Sequence, residues 1–442
     1  MTALPISWCR ASIGEIAELA DGPFGSNLKT AHYTETGPRV VRLQNIGDGT
    51  FRDESAHIAR DHYERLIKHA VRVGDIVAAS LGEEGPRACL IPAWLGPAIV
   101  KADCIRIRTL DGIDSVFLMW MLNSPPVREQ AAAWIKGVGR PRLGLGGLKR
   151  LVVPVPPLTE QRRIAVAIEE QFSRLDAASA SLYRAATQLE IMRDSVYTNG
   201  VTGSWPTARL GTLLREPLRN GHSAKTSKDG TGVRSLTLSA VTYRDFSEKN
   251  TKLTIAAPTR VRGLWLEPGD VLIERSNTPE LVGTAALFRG PRDWSIFPDL
   301  LIRVRPSDEL LPEFLEIVLK ARPTRRYFQQ AAQGIAGSMP KIDQRDVENL
   351  EVPVPPLGEQ TKIVAVMDKQ LSIVDAMSAQ IDRALRRSAA LRRLILEHAF
   401  TGKLVPQDPS DEPASVLLER IAARRATAEK ADGGRRSRRA TM

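Results

Sequence analysis

The sequence predicts an α+β fold: two globular mixed α/β domains separated by two long α-helices, a pseudo-two-fold tandem repeat in which the helices are best paired as an antiparallel coiled coil. Three observations carry this prediction. Residues 154–203 recur as residues 353–402 at a constant offset of 199. Both copies hold an apolar seam of heptad spacing. The block preceding each copy mixes short alternating runs with runs of helical period.

The repeat is long and ungapped. Pro156, Pro157, Leu158, Glu160, Gln161, Ile164, Gln171, Asp176, Ala177, Arg184, Ala185, Arg193, Thr202 and Gly203 all recur as the same residue. Each copy opens on Val-Pro-Val-Pro-Pro, whose prolines fix φ and keep the residues before them extended, so this is a stiff connector. A helix follows, with Thr159 or Gly358 expected at its N-cap and Glu160 or Glu359 in the first turn, where a negative charge suits the macrodipole. In the first helix Ile168, Leu175, Leu182, Leu189 and Val196 stand seven apart, with Phe172, Ser179 and Ala186 four residues after the first three. In the second, Ile363, Met367, Leu371, Val374, Ile381, Leu385 and Ile395 follow the same pattern, with Ser378 and Ser388 as small breaks. A helix of about 40 residues is roughly 60 Å long, too long for one domain to wrap, so its seam needs a partner. The other copy is the economical partner, and the domain between them favours an antiparallel pair. A homodimer, or each seam lying on its own domain, would also satisfy the pattern.

Residues 1–153 form the first block. Strand character appears at 39–46, 74–79 and 98–109, helices are expected at 114–123 and 127–135 on either side of Pro125-Pro126, and 137–147, with five glycines, reads as a loop. Residues 204–352 mirror this block: Ser204-Trp205 echoes Ser7-Trp8, Leu210-Gly211 echoes Ile13-Gly14, Gly269-Asp270-Val271 echoes Gly74-Asp75-Ile76, and Phe314-Leu315 echoes Phe117-Leu118. From Pro141/Pro340 onward the offset of 199 holds, through Arg142/Lys341 and Leu151/Leu350. The frame is kept while the polar stretches between diverge, as in 22–30 against 220–226 and 80–87 against 275–280. Such divergence suggests two readers of different targets, with drift of an old duplication as the plain alternative. The expected division is thus 1–153, 154–203, 204–352, 353–405 and a basic tail, 406–442, largely disordered beyond a short helix over 414–425.

The net charge of +11 permits a nucleic-acid partner without identifying one, because the tail holds a large share of it. From Arg424 to the end there are seven basic and two acidic residues. Three cysteines, Cys9, Cys89 and Cys104, lack metal-ligand spacing and read as incidental thiols, and the six histidines show no ligand pattern. No run approaches the ~18 apolar residues of a membrane helix, so no membrane association and a cytoplasmic location are expected.

Catalytic patterns are missing. No lysine has Asp or Glu two residues before it, as metal-dependent nucleases require. There is no Gly-x-x-x-x-Gly-Lys-Ser/Thr phosphate loop. The Pro-Pro pairs follow Ser124, Val155 and Val354, so the Asn/Asp-Pro-Pro-aromatic motif of adenine methylation is absent as well. No catalytic residue, metal site or cofactor is expected in this chain.

Two diverged blocks, each followed by Val-Pro-x-Pro-Pro-Leu-x-Glu-Gln and a long heptad helix, resemble the specificity (S) subunit of type I restriction-modification systems, the HsdS family. The resemblance spans about residues 8–405. It implies two target-recognition domains, each reading one half of a bipartite site on double-stranded DNA, held apart by the coiled coil. It also implies docking of two methyltransferase (M) subunits on the helices, with restriction/translocase (R) subunits joining through them. S-adenosylmethionine, ATP and Mg2+ would belong to those partners. A coiled-coil adaptor that assembles proteins without reading DNA is the alternative.

Base edges are read best by Arg, Asn and Gln, and phosphates by cations and hydroxyls. The candidate DNA contacts are therefore the polar residues of the diverged stretches. In the first domain they are Ser26, Asn27, Lys29, Gln44, Asn45, Arg87, Arg140 and Arg142. In the second they are Asn220, His222, Lys225, Lys228, Arg275, Asn277, Lys341 and Arg345. Arg142 and Lys341, cations at equivalent positions, suit a shared phosphate contact.

Overall fold

The computed structural model describes residues 4–82, 85–137, 139–332 and 339–440, with the backbone alone at Ser26 and 428–440. It divides into two compact units, Met1–Ala180 with Leu385–Met442, and Ser181–Ala384. The division falls inside the long helices, Leu158–Gly200 and Leu357–Phe400. Packing explains this, because the ends of both helices enter the core of the domain beside them.

In the first unit Ile164, Ile168 and Phe172 of the first helix, and Leu396, Ala399 and Phe400 of the second, belong to the domain's own buried cluster. Phe172 meets Trp120 edge to face at 4.8 Å, and Phe400 meets Phe117 at 5.5 Å. The domain itself holds an antiparallel sheet in the order Ala17–Asp21, Cys104–Thr109, Ile76–Ala79, Arg87–Leu90. A second sheet orders His57–Ile58, Tyr33–Val41, Ala98–Val100 and Ala70–Val71, with Arg39 to Val41 running parallel to Ala98 to Val100. The second unit repeats the first sheet as Arg219–Asn220, Leu301–Val304, Val271–Glu274, Ala285–Leu287. It carries a hairpin pair, Val233–Leu236 with Thr251–Thr254, beside it.

One frame element recurs that the sequence did not reveal. Arg108 holds Asp75 through two bonds of 2.8 and 2.7 Å, and Arg305 holds Asp270 in the same way at 2.5 and 3.0 Å. Each aspartate also caps its own turn, accepting from the N–H of Arg72 or Glu267. The paired carboxylates hold both guanidinium groups firmly protonated.

Several local expectations are corrected. The expected strand 39–46 ends at Val41 and is followed by a 3-10 turn, and the run 98–109 is two strands separated by a tight turn at 101–103. Pro125-Pro126 opens the second helix, Pro125–Ala132, instead of only closing the first; proline needs no donor in a first helical turn. The glycine-rich loop 137–147 contains a strand, Arg142–Leu143, that pairs with Ile135–Lys136 before it, and the start of a helix, Leu145–Arg150.

The proline connectors are β-strand before they are helix. Val152–Val155 pairs with Cys9–Ser12, and Glu351–Pro353 pairs with Thr207–Arg209, so each domain closes on its own first strand where it feeds the rod. The helices start earlier than expected. Pro157 and Pro356 offer the carbonyls that accept from Gln161 and Gln360, and Thr159 and Gly358 lie in the first turn. A proline suits that place because the group it lacks has no intrahelical partner there.

The recurring glutamine is a clamp. The Gln161 side chain accepts from the N–H of Asp114 at 2.8 Å and donates to the carbonyls of Pro156 and Gly112 at 2.9 and 3.3 Å. Gln360 accepts from Leu311 at 2.8 Å and donates to Pro355 and Glu309 at 2.8 and 2.9 Å. Both side chains are fully buried, so each amide ties the rod's first turn to the domain helix that follows Asp114 or Leu311. The preceding glutamates have diverged. Glu160 is buried and receives Trp8 Nε1 at 3.0 Å and Gln407 Nε2 at 2.6 Å, and burial raises its carboxyl above the usual carboxylate range. Glu359 instead pairs with Lys362 on the surface.

Within each unit the two helix segments run antiparallel. In the first, Ser179 meets Ser388 Oγ to Oγ at 3.1 Å, Asp176 pairs with Arg392, and Arg392 lies 4.8 Å over the Phe172 ring. In the second, Arg193 pairs with Asp375 at 2.8 Å, and Val196 and Tyr197 share a cluster with Met367. Of the predicted seam residues, Ile168, Phe172, Leu189, Val196, Met367 and Val374 are buried, and Leu175, Leu182, Leu371, Ile381, Leu385 and Ile395 are half-buried.

The tail departs most from expectation. It forms a helix, Ala414–Ala440, whose Ala414, Leu417 and Ile421 are buried against the first domain. Asp411 pairs with Arg163 at 2.6 Å, Arg424 with Asp111 at 2.8 Å, and Arg425 donates to the Gly14 carbonyl. Gly112 makes room for Leu417: a Cβ there would stand 2.2 Å from the leucine Cδ1, and its φ of +97° also demands glycine.

Candidate nucleic-acid interface

In both domains the diverged stretches are gathered around one turn, and glycine permits it. Gly22 sits where a Cβ would lie 2.2 Å from the Lys101 carbonyl, and Gly221 where it would lie 2.1 Å from that of Phe297. These close approaches pin segments 22–30 and 220–226 against the turns at 101–103 and 298–300. The strand ends are bound to the same turns: Ser80 N–H donates to the Asp103 carbonyl at 2.9 Å, and Arg275 N–H to that of Leu300 at 2.7 Å. The third segment arrives by matching bridges, Leu81 with Arg142 and Ser276 with Lys341.

Most first-domain candidates lie on this assembly. Arg142 Nη2 stands 2.7 Å from Asp103 Oδ1, and Arg140 Nη2 stands 3.6 Å from Oδ2. Arg87 is half-buried at a strand start opposite Ala79. Ser26 and Asn27 lie in the 3-10 turn Gly25–Asn27, where the Asn27 carbonyl accepts from His62 Nε2 at 2.8 Å; the side chain of Ser26 is outside the described set. Lys29 and Gln44 are exposed. Asn45 is a correction. It is fully buried, its amide donates to the carbonyls of Arg52 and Glu54, and its oxygen accepts from Arg42 N–H. With every polar group spent on the turn at 42–54, it has none to offer a base.

In the second domain Arg275 is half-buried and Lys341 is exposed at the bridge. Asn220 accepts from Gln344 Nε2 at 3.1 Å, and Arg345 is exposed on the same short helix as Gln344. His222 is half-buried, and its N–H donates to Phe297. Asn277 is largely committed, donating to Glu274 Oε2 at 2.6 Å and accepting from Thr278 N–H at 2.8 Å. Glu274 is itself fully buried, and burial raises its carboxyl above the usual carboxylate range. Lys225 and Lys228 stand apart, beside the edge strand Thr251–Thr254, where Ile255 N–H reaches the Lys225 carbonyl.

Sequence reasoning missed a basic corner on the first domain. The rings of His32 and His62 stand 4.4 Å apart, and Arg65 reaches His62 Nδ1 at 3.0 Å. Partial desolvation, then the neighbouring charges of His62, Lys29 and Arg65, lower the pKa of His32. The histidines here stay neutral, His32 Nδ1 accepting from Lys29 N–H, so the charge of this corner is that of Lys29 and Arg65, and these two cations suit phosphate. Its members lie 30 residues apart in the chain, so no local motif could announce them.

Among the described residues no group of three or more His, Cys, Asp or Glu is placed to hold a metal ion, and no helix is long and apolar enough to cross a membrane. Burial pushes the thiols of Cys89 and Cys104 up to about 12.

Comparison with known proteins bears directly on this arrangement. The family described as the type I restriction modification DNA specificity domain matches residues 249–386. The specificity subunit of the type I restriction enzyme EcoKI, from Escherichia coli K12, is 24% identical over 472 residues, covering 98% of each chain. Two solved structures share the fold. One is a chain of a type I R-M system described for its complex assembly and conformational transition, with TM-score 0.71, 21% identity and coverage of 91% and 100%. The other is the HsdS subunit from Thermoanaerobacter tengcongensis, with TM-score 0.52, 22% identity and coverage of 90% and 98%. The duplicated frame, the paired proline connectors and a likeness that spans 98% of both chains agree in making this chain similar to the specificity subunits of type I restriction enzymes.

Proposed function

We propose that this chain reads a bipartite DNA site for a type I restriction-modification complex, with residues 1–153 and 204–352 as target-recognition domains for one half-site each. The observation that carries the reading is the doubling of a whole frame, each copy clamped to its rod by the same buried glutamine, around stretches whose polar residues differ. Two copies of one scaffold with different reading surfaces suit two different half-sites. A pure adaptor has no use for that divergence. The chain is non-catalytic, and the chemistry lies in partner subunits.

The rod serves as ruler and dock. DNA rises about 34 Å per turn, so two readers held by helices of this length leave an unread spacer between their segments. Val366, Ile373 and Met377 in one unit, and Leu391 and Leu394 in the other, are exposed apolar residues on the second helix. They suit the docking of methyltransferase subunits, two per chain, with restriction subunits joined through them. S-adenosylmethionine, ATP and Mg2+ are held by those partners, and the assembly works in the cytoplasm, where its DNA lies. Inserting four residues, about one helical turn, between Ser179 and Ala186 tests the ruler. The preferred spacer should lengthen by about one or two base pairs with both half-sites unchanged. An unchanged spacer would sink it.

A further inference from the structure

The geometry points to a specificity determinant in the first domain: Asp103 positions Arg142 to read a guanine, while the equivalent Lys341 of the second domain only holds phosphate. This rests on the DNA-reading function proposed above.

Asp103 is held firmly. Its φ of +68° is left-handed, a conformation that is uncommon outside glycine and persists only where the surroundings impose it. Here they do. Its carbonyl accepts from both the N–H and the Oγ of Ser80, at 2.9 and 3.0 Å, and its side chain is 10% exposed. The segment carrying Arg142 is zipped to the same strand end, with Leu143 N–H on the Ser80 carbonyl at 2.7 Å and Gly82 N–H on that of Pro141 at 3.0 Å. The acid therefore sits on a fixed backbone beneath a guanidinium whose side chain is 40% exposed.

The contact is one of charge. Asp103 Oδ1 lies 2.7 Å from Arg142 Nη2, so the carboxylate engages one nitrogen of the guanidinium, and Nε and Nη1 have no hydrogen-bond partner among the described residues. A phosphate contact gains nothing from this, because a carboxylate so close cancels much of the attraction the phosphate would feel. A base contact gains a fixed orientation, and the two parallel donors of arginine match O6 and N7 of guanine. The second domain supplies the contrast. The hydrogen bond from Arg275 N–H shows that Leu300 stands where Asp103 does, and Lys341 has no acidic partner among the described residues. Lysine with an unopposed charge suits phosphate as a point charge and lacks the fixed fork by which arginine matches a guanine edge.

The test is long-read mapping of N6-methyladenine in host cells carrying the full-length chain as wild type, D103N or R142K, the last keeping the cation and the fold. The wild type should give a gene-dependent bipartite motif with a guanine in one half-site. In both variants preference at that one position should fall by about 5- to 150-fold, with the other half-site and the spacer unchanged. A uniform loss of methylation without change of motif, an unchanged motif, or a wild-type motif without such a guanine overturns the inference while leaving the DNA-reading function standing. A wild-type chain that directs no bipartite motif fails on the function itself.

Discussion

Replacing Gln360 by leucine removes an amide of similar volume and three buried hydrogen bonds at once, to Leu311, Pro355 and Glu309, all 2.8–2.9 Å long. At about 1 kcal/mol net for each bond the loss is about 3 kcal/mol, and more where a buried partner stays unpaired. For a unit of this size each kcal/mol lowers the melting temperature by about 2–4 °C, so Q360L should melt about 6–12 °C below wild type. The first-domain variant Q161L should lose slightly less, since its bond to the Gly112 carbonyl is 3.3 Å long. Calorimetry of the full chain measures both. The control is Gln370, which recurs at the same offset but is exposed, so Q370L should stay within about 0.5 kcal/mol of wild type. Shifts below about 2 °C for Q360L and Q161L, or an equal shift for Q370L, would refute the clamp.

Three further outcomes follow from the packing. Leu417→Ala should destabilise the first unit by about 2–5 kcal/mol, and combined with Gly112→Ala it should cost less than the sum of the two, by about 0.5–3 kcal/mol in a double-mutant cycle, because the alanine methyl occupies the space the leucine leaves. Burial raises the Glu160 carboxyl, so the folded chain keeps that proton after the unfolded chain has lost it; the stability from this group falls as pH rises from about 4.5 through the folded value. Glu160→Gln should flatten that part of a stability-against-pH curve. Thiol titration of the native chain should modify Cys9 alone at neutral pH, with Cys89 and Cys104 reacting only on unfolding, since both are buried and pushed up to about 12.

What the sequence disclosed was whatever recurs locally. The proline connector, the seam and the paired blocks are written as identities at one offset, and the seam residues lie in buried or half-buried positions. Gln161 and Gln360 were visible as recurring letters, but their use depends on carbonyls about 50 residues earlier. The docked C-terminal helix was hidden for the same reason. Its composition is basic and alanine-rich, and only the gap over Gly112 shows where Leu417 goes. The candidate contacts were the least legible. Asn45 has the right chemistry for a base contact and spends all of it inside a turn, whereas Asp103, an unremarked acid, stands beneath two of the predicted arginines. Side-chain type suggests what a residue can bind, and only the surrounding fold decides whether it is free to do so.

If this chain sets the DNA sequence at which partner subunits act, its removal must erase a methylation motif from the genome. Mapping N6-methyladenine by long-read sequencing in the host genome, with and without the gene for this chain, tests it most directly. One bipartite motif, two short read segments around an unread spacer, should be methylated when the gene is present and unmethylated when it is deleted. A methylation pattern unchanged by the deletion would contradict it.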